Sequence, residues 1–252
     1  MITLTISPVP LQNPLPSLPW SLTQHLQAWA GYSSHRQRLR VVGHAANSRS
    51  GWSGHPNVLT GVIDPTGRTT LAVPESDAQR VGVSVAGALR RPRLSRTTHD
   101  GEIDLAIAGV TAALHRPEEH IERVHLRWTL TPADLPAIGR WIPPEDARLP
   151  DWLRPFGGPA LCATDECGRI VAGVGVKRHD PWAHELAVVT EPEARGRGLA
   201  RRLISQAARE LLQRNIVPTY LHTPGNAASA RVAEAAGFAW SGWQALLLSS
   251  AT

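Results

Sequence analysis

Hydrophobic and polar positions divide the chain into stretches of different period. From Ala200 onward the apolar residues fall at 203, 204, 207, 208, 211 and 212, the i, i+3, i+4, i+7 series of an amphipathic helix. Arg201, Arg202, Ser205, Gln206, Arg209 and Glu210 take the opposite face. RVHLRWTL (123–130) alternates as a strand does. It is followed by a predicted helix, with Thr131 as N-cap, Pro132 at the first helical position and Asp134 in the first turn. PALCAT (159–164) and RIVAGVGVK (169–177) read as two strands around the turn DECG, and HELAVVT (184–190) as a third. A strand VPTYLH (217–222), a helix from Asn226 to Gly237 and a closing run WQALLLSS (243–250) complete the order β-α-β-β-β-α-β-α-β.

The first half is less regular. Trp20 to Ala30 is predicted as a short helix, and NVLTGVIDPTGRTTLAV (57–73) as a hairpin turning at DPTG. Helices are predicted within 75–91, against its two glycines and several valines, and over 103–114. The stretch 90–102 has the makeup of an exposed loop, and the prolines before Trp20 that of an extended arm. No internal repeat is found. These patterns place a domain boundary near Glu122, giving an N-terminal accessory or degenerate unit over 1–121 and a mixed α/β domain over 122–252.

Composition narrows the picture slightly. With 42% hydrophobic and 19% charged residues the chain has the makeup of a globular protein. No apolar run approaches the roughly 20 residues that span a bilayer, and the N-terminus lacks the basic and apolar regions of a secretory signal. Cys162 and Cys167 flank a turn with no second pair at zinc-like spacing, so two reduced thiols in a cytoplasmic protein are expected and no metal is assigned. The net charge of +5 comes almost wholly from arginine, Lys177 being the single lysine. That charge admits a nucleic acid or a phosphate-bearing cofactor and does not choose between them.

The candidate chemistry lies where the strand LAVV gives way to the 200–212 helix, across Arg195-Gly196-Arg197-Gly198. Unpaired amides at a helix start carry the positive end of its dipole, and glycines allow close approach of a ligand, so the construction suits a phosphate or pyrophosphate. A strand-to-helix turn needing glycine only for its geometry is the plainer alternative. Gly198 is followed by Leu-Ala, not the Lys-Ser/Thr of a Walker loop, and Arg201 stands where a dinucleotide fingerprint needs its third small residue.

Arg195-Gly-Arg-Gly198-Leu-Ala200 does resemble the R/Q-x-x-G-x-G/A signature of the GNAT superfamily of N-acetyltransferases, with Pro192 three residues before the Arg. Asn226 through Ser229 to Gly237-Phe238 is similar to the N-x-x-S/A…GF helix of that superfamily, and RVHLRWTLTPADLPAI to its first strand and helix. The resemblance covers roughly 122–252; residues 1–121 match no named family. It implies a mixed, mostly antiparallel, splayed sheet flanked by helices, with a smaller N-terminal α/β unit. It implies acetyl-CoA as co-substrate and a small-molecule or peptide amine as acceptor, joined by direct attack in a ternary complex. Val188, Val189 and Thr190 would pair with the pantetheine arm, and the backbone near Val189 would polarise the thioester carbonyl. Arg195, Gly196, Arg197, Gly198, Leu199, Ala200 and Arg201 would hold the pyrophosphate, and Asn226 would bond the cofactor near its reactive end.

The chain departs from the family at Ala233, where many members carry a tyrosine acid. For the base, His222 is the first candidate, as its ordinary pKa suits neutral pH, followed by Glu185 and His184. Tyr220 shares the side of His222 by strand alternation and is an alternative acid. Trp240 and Trp243 are acceptor-pocket or packing residues. A non-catalytic acyl-CoA-binding module, or a transferase of another acyl group or to a hydroxyl, competes with the amine acetyltransferase reading. The basic residues are scattered apart from a cluster at 90–96 and form no recognised motif, so neither nucleic acid nor membrane is expected as a partner.

Overall fold

The computed structural model describes residues 18–34, 36–49, 57–89, 99–115 and 121–249. All but the last two residues of the predicted arm before Trp20 and most of the 90–102 loop lie outside these. Two compact units emerge: Leu26–Arg123 with Gly242–Thr252, and Val124–Ser241 with Trp20–His25.

In the first unit the expected hairpin forms from β2 (Asn57–Ile63) and β3 (Thr69–Val73), closed by a turn in which Gly67 N–H donates to the Asp64 carbonyl. β1 (Leu39–Gly43) runs parallel to the outer side of β3. It is a five-residue run ending at Gly43, and it escapes the sequence pattern. Two helices, α2 (Ala78–Leu89) and α3 (His99–Ala113), cover the sheet, α3 starting four residues before the predicted 103. Their Val81, Val85, Ile103, Ala106 and Val110 share one core with Leu59, Leu71 and Val73. The closing run, β10 (Gln244–Ser249), pairs antiparallel with β2 and adds Leu246 and Leu248 to that core. The last strand of the chain therefore belongs to the first unit, where sequence order had placed it with the second.

The second unit orders its strands β4-β9-β8-β7-β6-β5: β4 is Glu122–Trp128, β5 Arg140–Ile142, β6 Ala160–Thr164, β7 Ile170–Arg178, β8 Ala183–Thr190 and β9 Val217–His222. All neighbours are antiparallel except β8 and β9. The sheet is thus mixed and mostly antiparallel. α4 (Leu199–Leu212) lays Leu203, Ile204, Ala207, Ala208 and Leu211 against Leu161, Val174, Leu186 and Tyr220, joined by Ala233 of α5 (Ala227–Ala235) and by Phe238.

The helix predicted after Thr131 does not form. Residues 131–139 form neither helix nor strand; Leu135 N–H donates to the Ala133 carbonyl and Ala133 N–H to that of Ala236, and further backbone groups bond to α4. Gln206 Oε1 accepts from Ile138 N at 3.0 Å and Gly139 N at 2.9 Å. Arg209 donates to the carbonyls of Ala133 and Leu135, both at 2.8 Å, and Ser205 Oγ donates to Ala133 O. Pro136 lacks the N–H a helix would need there and restricts Leu135 away from helical angles. The polar face predicted for α4 is consequently no solvent face: Ser205 is 0% and Gln206 8% exposed.

Candidate functional site

β8 and β9 run in parallel for three register pairs, ending at Glu185–Thr219, and then part. β9 goes on to pair with β4 through His222. β8 continues to Thr190 with β7 on one side only, leaving the edge from Leu186 to Thr190 open. Backbone groups along such an edge alternate in direction, so part of this stretch addresses the gap. The gap is a cleft of about 870 Å³ in the second unit. Val188–Thr190 form one wall, Asn226, Ser229 and Arg231 another, and the Arg195–Arg201 turn the end, with Tyr220 also on the lining.

The turn is shaped by its glycines. A short 3-10 turn at Pro192–Ala194 follows β8, and Arg195 Nε donates to the Thr190 carbonyl at 3.2 Å. Gly196 and Gly198 have φ of +78° and +74°, a left-handed conformation costing other residues about 1–2 kcal/mol. A Cβ on Gly196 would meet nothing within 4 Å and would project into open space. The turn therefore needs both glycines for its backbone, and a Cβ on Gly198 would come within 2.9 Å of Arg201 Nε. Gly198 is the N-cap of α4 and no side chain caps that terminus, so its first amides are left for a ligand or water.

The expected cofactor residues converge on the cleft, Arg197 excepted: Val188, Val189, Thr190, Arg195, Gly196, Gly198, Leu199, Ala200, Arg201 and Asn226 all line it. Asn226 caps α5, its Oδ1 accepting from Ser229 N at 2.9 Å, which leaves its amide donors to the cleft side. The Thr190 hydroxyl is buried with no hydrogen-bond partner among the described residues. Arg231 also lines the cleft and was missed in the sequence, because only the parting of β8 and β9 brings α5 opposite the 195–201 turn.

The base candidates fare differently. His222 is 5% exposed and stands outside the cleft lining. Arg127 Nε donates to His222 Nε2 at 2.9 Å, and a guanidinium can only donate, so Nε2 carries the lone pair. His222 Nδ1 then holds the proton and donates to the Thr223 carbonyl at 2.8 Å. With both ring nitrogens engaged, His222 has no lone pair for an amine, and the sequence preference for it is corrected. Arg127 Nη1 donates to the Phe238 carbonyl at 3.0 Å as well, making this group a tie between strands and the turn after α5. His184 is buried, which lowers its pKa and keeps it neutral.

Glu185 sits at the last pair before β8 and β9 separate. It is 5% exposed, with Lys177 Nζ 2.6 Å from Oε1 and His179 Nε2 3.2 Å from Oε2. Burial alone would raise its pKa, but the bond to His179 and the charges of Lys177 and His179 outweigh it and hold the carboxyl below its ordinary range. It is a carboxylate at neutral pH. Nearby, His25 Nδ1 lies 2.6 Å from Asp180. Of the tryptophans, Trp240 is half exposed and stacks on His125 at 4.6 Å, whereas Trp243 is buried against Tyr32.

Residues 119–238 match the model of the acetyltransferase (GNAT) family. That segment is a GNAT domain. The family transfers acyl groups from acyl-CoA, and the cleft fits such a donor by its open strand edge, its uncapped helix start and its unpartnered threonine hydroxyl. No curated protein matches the chain. Among solved structures, one attributed to a GNAT acetyltransferase of Novosphingobium aromaticivorans is 23% identical over 53% of this chain and 66% of its own, with a TM-score of 0.40. This chain thus spans just under two thirds of that protein. A GNAT acetyltransferase from Colwellia psychrerythraea is 12% identical, covering 71% and 75%, with a TM-score of 0.46. A phosphinothricin acetyltransferase from Sinorhizobium meliloti, solved with AcCoA, is 17% identical, covering 39% and 64%, with a TM-score of 0.31. Among the described residues no helix is long and apolar enough to cross a membrane, and no cluster of His, Cys, Asp and Glu is arranged to hold a metal ion.

Proposed function

We propose that this protein is an acetyl-CoA-dependent N-acetyltransferase, in which an amine attacks the acetyl thioester directly while both are bound. The observation that carries this is the parting of β8 and β9 over a cleft that ends at the uncapped start of α4. The open edge of β8 offers backbone partners to the amide-bearing pantetheine arm. The amides from Gly196 to Arg201, with Arg195 and Arg201, offer donors and charge to the pyrophosphate. Asn226 offers its amide further along the same wall.

Glu185 is the base in this reading. It stands at the fork of the strands as a carboxylate, buried like His222 and likewise outside the cleft lining, so it takes the amine proton only through water. Unlike His222 Nε2, its oxygens keep further lone pairs beside the bonds to Lys177 and His179. A carboxylate held below its ordinary pKa is a weak base, so the reaction draws on the fraction of acceptor already present as free amine. The rest of the acceleration comes from aligning the two reactants and from backbone N–H groups of β8 facing the thioester oxygen.

The test is thiol release from acetyl-CoA with a panel of small amines, amino acids and peptide N-termini. Release dependent on one acceptor class, with the acetylated amine as product, is the expected result. Acetyl-CoA binding with no thiol release across the panel would instead mark a non-catalytic acyl-CoA-binding module.

A further inference from the structure

Acyl transfer leaves a second proton to be moved, and this step rests on the transferase reading above. When the amine nitrogen bonds to the carbonyl carbon, the C–S bond breaks and its electron pair stays on sulfur. The thiolate then needs a proton inside a cleft that its own donor fills. The polar hydrogens on the lining belong to Thr190, Ser229, Tyr220, Asn226 and the arginines Arg195, Arg201 and Arg231. Guanidinium groups keep their protons in proteins, amides do not ionise in water, and aliphatic hydroxyls are far weaker acids than a phenol. Tyr220 is what remains.

Its placement suits the task. Tyr220 follows Thr219, the last residue of β9 that pairs with β8, so its ring enters where the strands part. The ring is held in the core 5.9 Å from that of Phe238, and its hydroxyl lies 2.8 Å from Ser229 Oγ on the facing helix. Ala233, fully buried, stands one turn beyond Ser229 on the same face of α5.

We propose that Tyr220 is the acid that protonates the departing thiolate, with Ser229 positioning its hydroxyl and returning a proton to it. The O–H proton of Tyr220 passes to sulfur, giving the free thiol. The phenolate recovers a proton from water in one relay through the Ser229 hydroxyl, which gives up its own proton only as it takes another. The amine proton leaves by way of Glu185, so amine and thioester become amide and thiol with no net proton change. Burial pushes the Tyr220 hydroxyl up, against the weaker pull of the Ser229 bond and the Arg127 charge, which keeps it protonated at neutral pH.

The experiment compares the full-length protein with Tyr220→Phe and Ser229→Ala. It measures thiol release across pH with the amine the parent accepts, acetyl-CoA affinity by calorimetry, and thermal unfolding. Tyr220→Phe is expected to bind acetyl-CoA as the parent does and to lose about 100-fold in kcat. It should also lose the parent's fall in kcat at alkaline pH, where an acid ionises. Ser229→Ala should lose about tenfold in kcat with KM for acetyl-CoA unchanged, and it decides the matter should Tyr220→Phe not fold. Parent-like kcat and an intact alkaline limb in Tyr220→Phe overturn the proposal while the transferase stands. Loss of affinity and stability in step with activity also overturns it, in favour of a packing role. A parent protein that binds acetyl-CoA but acetylates nothing removes the transferase reading itself.

Discussion

At the scale of single residues, partners decide which side chains are available for chemistry. His222 and Glu185 were both legible as polar residues near the cofactor strand. What separates them is not local: Arg127 lies 95 residues before His222 and meets it only because β4 pairs with β9. Glu185→Gln is expected to lower kcat at least tenfold in the thiol-release assay, as removal of a general base does. It also strips Lys177 and His179 of a buried counter-charge, which costs about 3–5 kcal/mol in denaturant unfolding. The pH dependence has a definite sign. A carboxyl held below its unfolded value of 4.5 stabilises the fold above that pH, and the contribution fades as pH falls through the folded value. Acid unfolding should therefore be less steep in Glu185→Gln than in the parent. The cysteines give a simpler check. Cys162 is buried with its thiol pushed up to about 11, and Cys167 is exposed. One thiol should react with a disulfide reagent in the native protein and two after unfolding; two in the native state would contradict the placement of Cys162.

At the scale of elements, periodic stretches were legible and stretches shaped by distant side chains were not. The strand–turn–helix running from Ala183 to Leu212 follows from its letters, because alternation, glycines and a 3.6-residue period agree there. The 131–139 stretch has good helix-start signals, yet Gln206, Arg209 and Ser205 of α4 take up several of its backbone groups in a form that is not helical. No reading of local propensity sees partners some 70 residues away. Gln206→Ala tests this directly, since it strands the N–H groups of Ile138 and Gly139. Roughly 2–4 kcal/mol of stability should be lost, seen as a lower urea midpoint with an unchanged slope. A change below about 0.5 kcal/mol would mean that the segment does not depend on α4.

At the scale of the whole molecule, two units each carry their own core, and the chain returns to the first for its last strand. Sequence order hid this, because a closing strand after the second unit's final helix reads as part of that unit. Leu246 is fully buried in the first core. Leu246→Ala should destabilise that unit by about 2–5 kcal/mol while acetyl-CoA affinity, a property of the other unit's cleft, stays within about twofold. The central claim concerns that cleft: acyl-CoA binds along β8 with its pyrophosphate on the α4 start. Gly198→Asp places a carboxylate at that start, and Asp is among the residues that tolerate the left-handed backbone found there. The most direct test is calorimetric titration of acetyl-CoA into the parent and into Gly198→Asp, with folding checked by thermal unfolding. The account predicts one-to-one binding by the parent and its loss in a variant that remains folded. Equal binding by both, or none by the parent, would contradict it.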